Sequence, residues 1–206
     1  MFDTERRYYI NFLNQHIYSE ILKGLNGVNA DNQLFLGYYT PKILVECGMP
    51  NLPLMTNSSH LKENIFSYKE AKMRGLSVAK GKHYHGLGIE KYVEAIKSLD
   101  NPLAIYRWQK NNKNKYDSNS YIVLTQVKDK NNLKVIIPIE INKNGTYNNV
   151  EISTNKVSSV YGKGNVWKYF EKYVMDNSMN LLYKKGSVTN DLQSVTNNAS
   201  TDNSVV

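Results

Sequence analysis

The sequence predicts an α+β fold. Helical periodicity and capping signals fill the first half of the chain, and short apolar strands bounded by turn residues follow closely in the second. The length of 206 residues favours one domain with appendages, and 41% hydrophobic residues with 16 tyrosines suffice for a core.

Residues 4 to 23 read as an amphipathic helix. Tyr9, Leu13, Ile17 and Ile21 recur at steps of four, with Ile10 and Phe12 beside them. Asp3 or Thr4 caps it, and Gly24 and Gly27 end it. His16 lies among apolar neighbours there and reads as a packing residue. After a loop over Asn29–Asn32 comes the apolar run Leu34–Tyr39. Thr40 then reads as an N-cap and Pro41 as the first residue of a short helix that Gly48 stops. Cys47, the single cysteine, reads as a small buried hydrophobe on that helix.

Leu52–Met55 reads as extended. Thr56-Asn57-Ser58-Ser59 caps a helix from about Ser59 to Phe66, which puts His60 in its first turn. There the helix dipole disfavours a protonated imidazole. Residues 67 to 80 carry scattered charge and read as an irregular exposed connection. Ile89–Leu99 is helical, and Asp100-Asn101-Pro102 breaks it.

Strands are expected at Leu103–Trp108, Tyr121–Val127 and Val135–Ile141. Asn144-Gly145 signals a turn before a further strand over Tyr147–Ile152. Lys110–Asn119 is a polar, basic loop. Asn165–Val174 reads as a helix and Leu181–Tyr183 as a last strand. From Ser187 the chain lacks Lys, Arg and aromatic residues and repeats Ser-Val-Thr-Asn, the composition of a disordered tail. The expected organisation is a helix and linker over 1–31, an α+β domain over 32–186 and a polar tail over 187–206.

Composition narrows the partners. Lys and Arg number 26 against 18 Asp and Glu, a net charge of +8 that favours a polyanion, nucleic acid first. No run approaches the ~18 apolar residues of a membrane span. The N-terminus lacks a hydrophobic signal core, and one cysteine excludes an internal disulfide, so a cytoplasmic protein without a membrane partner is expected.

Chemistry concentrates in His60, His83 and His85. Two of these lie in Lys80-Gly81-Lys82-His83-Tyr84-His85-Gly86-Leu87-Gly88. Histidine moves protons near neutral pH. A zinc site from these three is one reading, but no Asp or Glu stands close in sequence to complete it and Cys47 is distant. The preferred reading is metal-independent RNA cleavage, with no cofactor. It needs a base for the ribose 2′-OH, an acid for the leaving 5′-oxygen and cations around the phosphate. His60 and His85 supply the first two, and Lys80 and Lys82 the last. The amides of Gly86 and Gly88, leading into a helix, offer anion contacts. His83 is an orienting or exposed neighbour.

A second segment, Ser158-Ser159-Val160-Tyr161-Gly162-Lys163-Gly164-Asn165, again sets glycines and a lysine before a helix, without the spacing of a nucleotide-binding P-loop. Thr125, on a central strand, points to a site or pairs with a neighbour. Arg107, Trp108, Tyr116 and Tyr121 beside Lys110, Lys113 and Lys115 would stack on and hold single-stranded RNA, unless these aromatics belong to the core.

Several of these runs resemble the phage MuF C-terminal domain and its relatives. They are Phe35-Leu36-Gly37, Thr40-Pro41-Lys42, Gly48-Met49-Pro50, Leu52-Pro53-Leu54-Met55-Thr56 and His60-Leu61, then His85-Gly86-Leu87, Val135-Ile136-Ile137-Pro138-Ile139 and Ser159-Val160-Tyr161-Gly162-Lys163-Gly164-Asn165. The resemblance runs from about residue 34 to 184 and lies in their order more than in any one motif. It implies a barnase-EndoU-colicin-RelE-like fold, with N-terminal helices packed on a four- to five-stranded antiparallel sheet. It also implies a metal-independent endoribonuclease with His60, His85 and Tyr161 as catalytic residues. By position Lys163 is implied as a phosphate contact, and the residues themselves add Lys80, Lys82, Lys113, Lys115, Thr125 and Ser159 as candidate RNA or phosphate contacts. The family's habit of residing in phages and conjugative elements implies a toxin or counter-defence factor in the host cytoplasm, one candidate target being CRISPR guide RNA. The alternative is a non-catalytic binder of RNA or of a ribonucleoprotein that acts by occupancy, as an anti-CRISPR protein would.

Overall fold

The computed structural model describes residues 15–27, 33–109, 120–147 and 150–186. Residues 15–26 are helical (α1). They are followed by β1 (Gln33–Gly37), α2 (Lys42–Glu46), β2 (Leu54–Asn57), α3 (Ser58–Ile65), α4 (Tyr68–Met73) and α5 (Ile89–Lys97). The second half holds β3 (Ala104–Trp108), β4 (Ser120–Lys128), β5 (Lys134–Tyr147), β6 (Val150–Val157), β7 (Tyr161–Lys163), α6 (Val166–Met175) and β8 (Met179–Lys184). The α+β class is as expected. The earlier part of the first helix, the Lys110–Asn119 loop and the polar tail lie outside the described residues.

The sheet is larger than four to five strands and is not wholly antiparallel. Among the described residues it has eight strands in the order β1-β2-β6-β5-β4-β3-β8, with β7 paired to β5. β2 and β6 run parallel, Leu54 opposite Asn155, and join the β1–β2 pair to the meander. The Asn144-Gly145 turn is absent. β5 continues through both residues, which pair with Ser153 and Ile152, and the antiparallel pairing extends to Tyr147 opposite Val150. A turn dipeptide within a strand is overridden when its neighbours find ladder partners.

Side-chain alternation along the central strands builds two cores. Ile105, Tyr121, Val123, Val135, Ile137 and Ile139 join Ile17 and Ile21 of α1, Leu44 of α2, Leu61 of α3 and Tyr92 of α5. Their neighbours Ala104, Tyr106, Trp108, Ile122, Leu124 and Ile136 meet Val166 and Phe170 of α6. The rings of Phe170 and Tyr106 stack at 3.9 Å. Helices therefore cover both faces of the sheet.

Three local expectations need correction. α1 does not stop at Gly24 but runs to residue 26. Gly24 serves packing instead, since a Cβ there would fall 2.3 Å from Leu34 Cδ1 and 2.7 Å from Leu61 Cδ2. Thr40 does not cap α2, whose N-cap is Pro41. Its hydroxyl meets the Pro50 and Leu52 carbonyls and receives Asn155 Nδ2, tying the loop before β2 to β6. Residues 67–80 are not irregular throughout, because Ser67 and Glu70 form a reciprocal capping box that starts α4.

Candidate functional site

The site grows from the break between β6 and β7, both of which pair with the same edge of β5. Opposite the break lies Pro138, whose carbonyl accepts from Ser158 N–H at 3.1 Å and whose missing N–H leaves no second ladder bond there. Ser158, Ser159 and Val160 leave the strand geometry, and α3 grips them.

Asn57, the N-cap of α3, accepts His60 N–H at 2.8 Å. His60 lies in the first turn, as expected, and Asn64 stands one turn later on the same face. The Nδ1–H of His60 donates to the Ser158 carbonyl. A carbonyl only accepts, so this bond fixes the tautomer and leaves Nε2 with a lone pair. Asn64 is buried, and its Oδ1 accepts Val160 N–H at 3.1 Å and Ser159 Oγ–H at 3.3 Å. With the serine proton directed to Asn64, His85 Nε2–H faces Ser159 Oγ as donor at 3.4 Å. The Tyr161 ring stacks on the His85 imidazole, 4.8 Å between centroids and 17° from parallel. Consecutive serines thus hold the two histidines, with opposite proton roles at their Nε2 atoms.

Both imidazoles have lowered proton affinity. Burial is the largest cause for His60, followed by the Lys156 ammonium; the Ser158 carbonyl, Glu63 and Glu140 act the other way. Burial also dominates for His85, with His83 second and Glu63 opposing. Burial, rather than a helix terminus, is therefore the chief reason that His60 favours its neutral form.

The Lys80–Gly88 segment does not present its amides to an anion. The N–H groups of His85, Gly86, Leu87 and Gly88 donate to the carbonyls of Glu63, Phe66, Asn64 and Ile65 at 2.8–3.0 Å, completing the C-terminal end of α3. Lys82 is bound to Glu63 at 2.6 Å and to Ser59 at 3.1 Å, so a carboxylate already meets the cation expected to face phosphate. Glu63 also accepts the His83 N–H, and Lys82 holds its carboxyl below the ordinary range against the opposing pull of burial. Lys80 and the His83 side chain are exposed.

Thr125 is not at the site: it is fully buried and its hydroxyl donates to the Val135 carbonyl at 2.9 Å. Lys113 and Lys115 lie outside the described residues, as does Tyr116. Trp108 and Tyr121 are buried in the two cores, with the Arg107 guanidinium 5.3 Å from the Tyr121 ring. Lys163 Nζ sits 4.2 Å from the Tyr169 ring centroid. His16 packs against Tyr38, as a packing residue should, and burial pushes the Cys47 thiol up, away from a reactive thiolate. Among the described residues, no group of three or more His, Cys, Asp or Glu is placed to hold a metal ion. None of their helices is long and apolar enough to cross a membrane.

Sequence reasoning missed Asn64, Glu63 and Ser158. The first two follow His60 at helical spacing, a signal present in the chain. Ser158 acts through its backbone carbonyl, which leaves no mark in a sequence.

The family model of the phage MuF C-terminal domain matches residues 77–188. The chain belongs to this family. The match takes in His85, Ser159, Tyr161 and Lys163, whereas His60 and Asn64 precede it. No curated protein and no solved structure matches the chain. In this member of the MuF C-terminal family, α3 therefore brings a histidine from outside the matched segment to a loop within it.

Proposed function

We propose that the chain is a metal-independent endoribonuclease working through the ribose 2′-OH. His60 Nε2 takes the 2′-OH proton as that oxygen attacks phosphorus. Protonated His85 gives its Nε2 proton to the departing 5′-oxygen. The P–O5′ bond breaks, leaving a 2′,3′-cyclic phosphate and a 5′-hydroxyl. Tyr161 orients His85 by stacking, Asn64 holds the serine loop between the histidines, and Lys163 borders the site as a cation for the substrate phosphates. In its host such an enzyme would act in the cytoplasm as a toxin or as a counter-defence factor, guide RNA being one candidate substrate.

The observation that carries this reading is the pair of histidines of lowered proton affinity on Ser158 and Ser159, one with its tautomer fixed as a base and the other with its Nε2–H at Ser159 Oγ as a donor. Incubation of the purified chain with end-labelled RNA in EDTA tests it. The expected result is cleavage to cyclic-phosphate ends that His60→Ala and His85→Ala each slow by about 10²- to 10⁴-fold. An intact RNA after prolonged incubation, or cleavage unaffected by either substitution, overturns it.

A further inference from the structure

We propose that single-stranded RNA flanking the bond presented to the histidines runs from the His85–Tyr161 stack over Lys163 and Tyr169 to Lys172 and Tyr173. The inference rests on the ribonuclease reading and adds where the substrate lies. Tyr161 and Lys163 are two apart on β7 and so share one face of that strand. Among the described residues β7 pairs with β5, and Tyr161 lies opposite Ile136 of the α6-side core. β7 therefore sets the ring that stacks on His85 and the ammonium that meets α6 on one face, beside the α6-side core.

On α6 the track continues. The Lys163 ammonium lies 4.2 Å from the Tyr169 centroid, Tyr169 and Tyr173 meet edge to face at 5.0 Å, and Lys172 Nζ is 5.8 Å from the Tyr173 centroid. Tyr169 and Tyr173 are four apart and so share a face of the helix. Both are only partly buried against the core, so each keeps some ring surface exposed. Lys172 and Lys168 then border an open depression of about 420 Å³ with Glu171, Met175 and Asp176. The Asp176 carboxylate accepts Ser178 N–H at 2.9 Å, which engages its charge with the backbone. Exposed Trp167 and Val174 fall on the opposite shoulder of α6.

Rings alternating with ammonium groups match a polymer that alternates base faces with phosphates. A duplex hides its base faces, and an acidic peptide has no planar groups for the tyrosines. The net charge of +8 suits a polyanion in general, while the rings select the single strand.

The test uses the full chain carrying His60→Ala, with anisotropy of a labelled 12-nucleotide uridine-rich RNA, the same length of RNA duplex and polyglutamate as probes. The single strand should bind tighter than either competitor. Tyr169→Leu keeps apolar bulk against the core, removes the ring and should weaken the single strand about 5- to 150-fold, the worth of one base–aromatic stack. Lys172→Gln, on the exposed side of α6, should lower the slope of log affinity against log salt by about 0.7. Equal binding of duplex or polyglutamate, or affinity unmoved by both substitutions, overturns the track. Cleavage by the unsubstituted chain is read separately. Cleavage with affinity unmoved overturns the track and leaves the enzyme; affinity that responds without any cleavage overturns the enzyme and leaves the track.

Discussion

Two segments of this chain have the same texture: glycines, a lysine and an aromatic residue just before a helix. Lys80–Gly88 precedes α5, and Ser158–Asn165 precedes α6. Their backbones behave differently. In the first, the N–H groups from His85 to Gly88 are spent on the end of α3, and Lys82 is spent on Glu63. In the second, the chain breaks from β6 at Ser158, touches both histidines and re-enters the sheet as β7. The first is a strap that delivers one side chain, His85. The second is the floor to which both histidines are tied. A helix start is an anion site only while its amides are unspent, and composition does not report what has already claimed them.

The largest expected effect tests whether the strap's product and the floor's partner act as a pair. His60→Ala and His85→Ala should each lower kcat/KM for RNA by about 10²- to 10⁴-fold, the usual worth of an acid or base. The double variant should fall little further, because residues that act as a unit are not additive. Steady-state cleavage of one labelled oligonucleotide checks both statements. A double variant showing the product of the two single losses would mean the histidines work independently.

Next in size is a contrast between two glycines. Gly86, in the strap, has φ +64, and a Cβ there would meet Ser67 Cβ at 3.0 Å and Ser67 Cα at 3.1 Å. Gly164, near the end of the floor segment, has open space within 4 Å of where a Cβ would stand, and its φ lies outside the left-handed region. Gly86→Ala should cost about 2–4 kcal/mol, from the left-handed backbone and from displaced packing. Gly164→Ala should stay within about 0.5 kcal/mol. Urea unfolding measures both. Equal midpoints would refute the strap.

How far the sequence foretells these regions depends on what each contact is made from. The helix over Ile89–Lys97 and the strands around Ile105, Val123 and Ile137 follow periodicity, because alternation is what lets one strand serve two cores. The capping box at Ser67 and Glu70 is equally visible, yet scattered charge obscures it. The parallel pairing of Leu54 with Asn155 joins segments remote in sequence and has no local signal. β7 has three residues, with Gly162 at its centre because a Cβ there would fall 2.1 Å from Asp129 Oδ2. Such a strand exists through its neighbours alone. In the site, the histidines stand out by chemistry and Asn64 by its step from His60, but the Ser158 carbonyl is backbone, common to every residue.

The smallest effect concerns Glu63, which α3 places between the strap and the histidines. For the free enzyme, kcat/KM rises as His60 loses its proton and falls as His85 loses its own. Burial has lowered both affinities from the ordinary 6.5, so the pH optimum should lie below that value. The Glu63 carboxylate opposes that shift at both rings, and Lys82 partly neutralises Glu63. Glu63→Gln removes the opposing charge, so both limbs and the optimum should move further to acid. Lys82→Met leaves the carboxylate uncompensated, and the optimum should move toward neutral. Each shift should be a few tenths of a pH unit, since a partly exposed charge several ångströms away contributes under about 1 kcal/mol. Opposite signs are the decisive feature. If the two substitutions move the optimum in the same direction, Glu63 acts through folding of the strap; opposite movement shows its charge acting on the histidine pair.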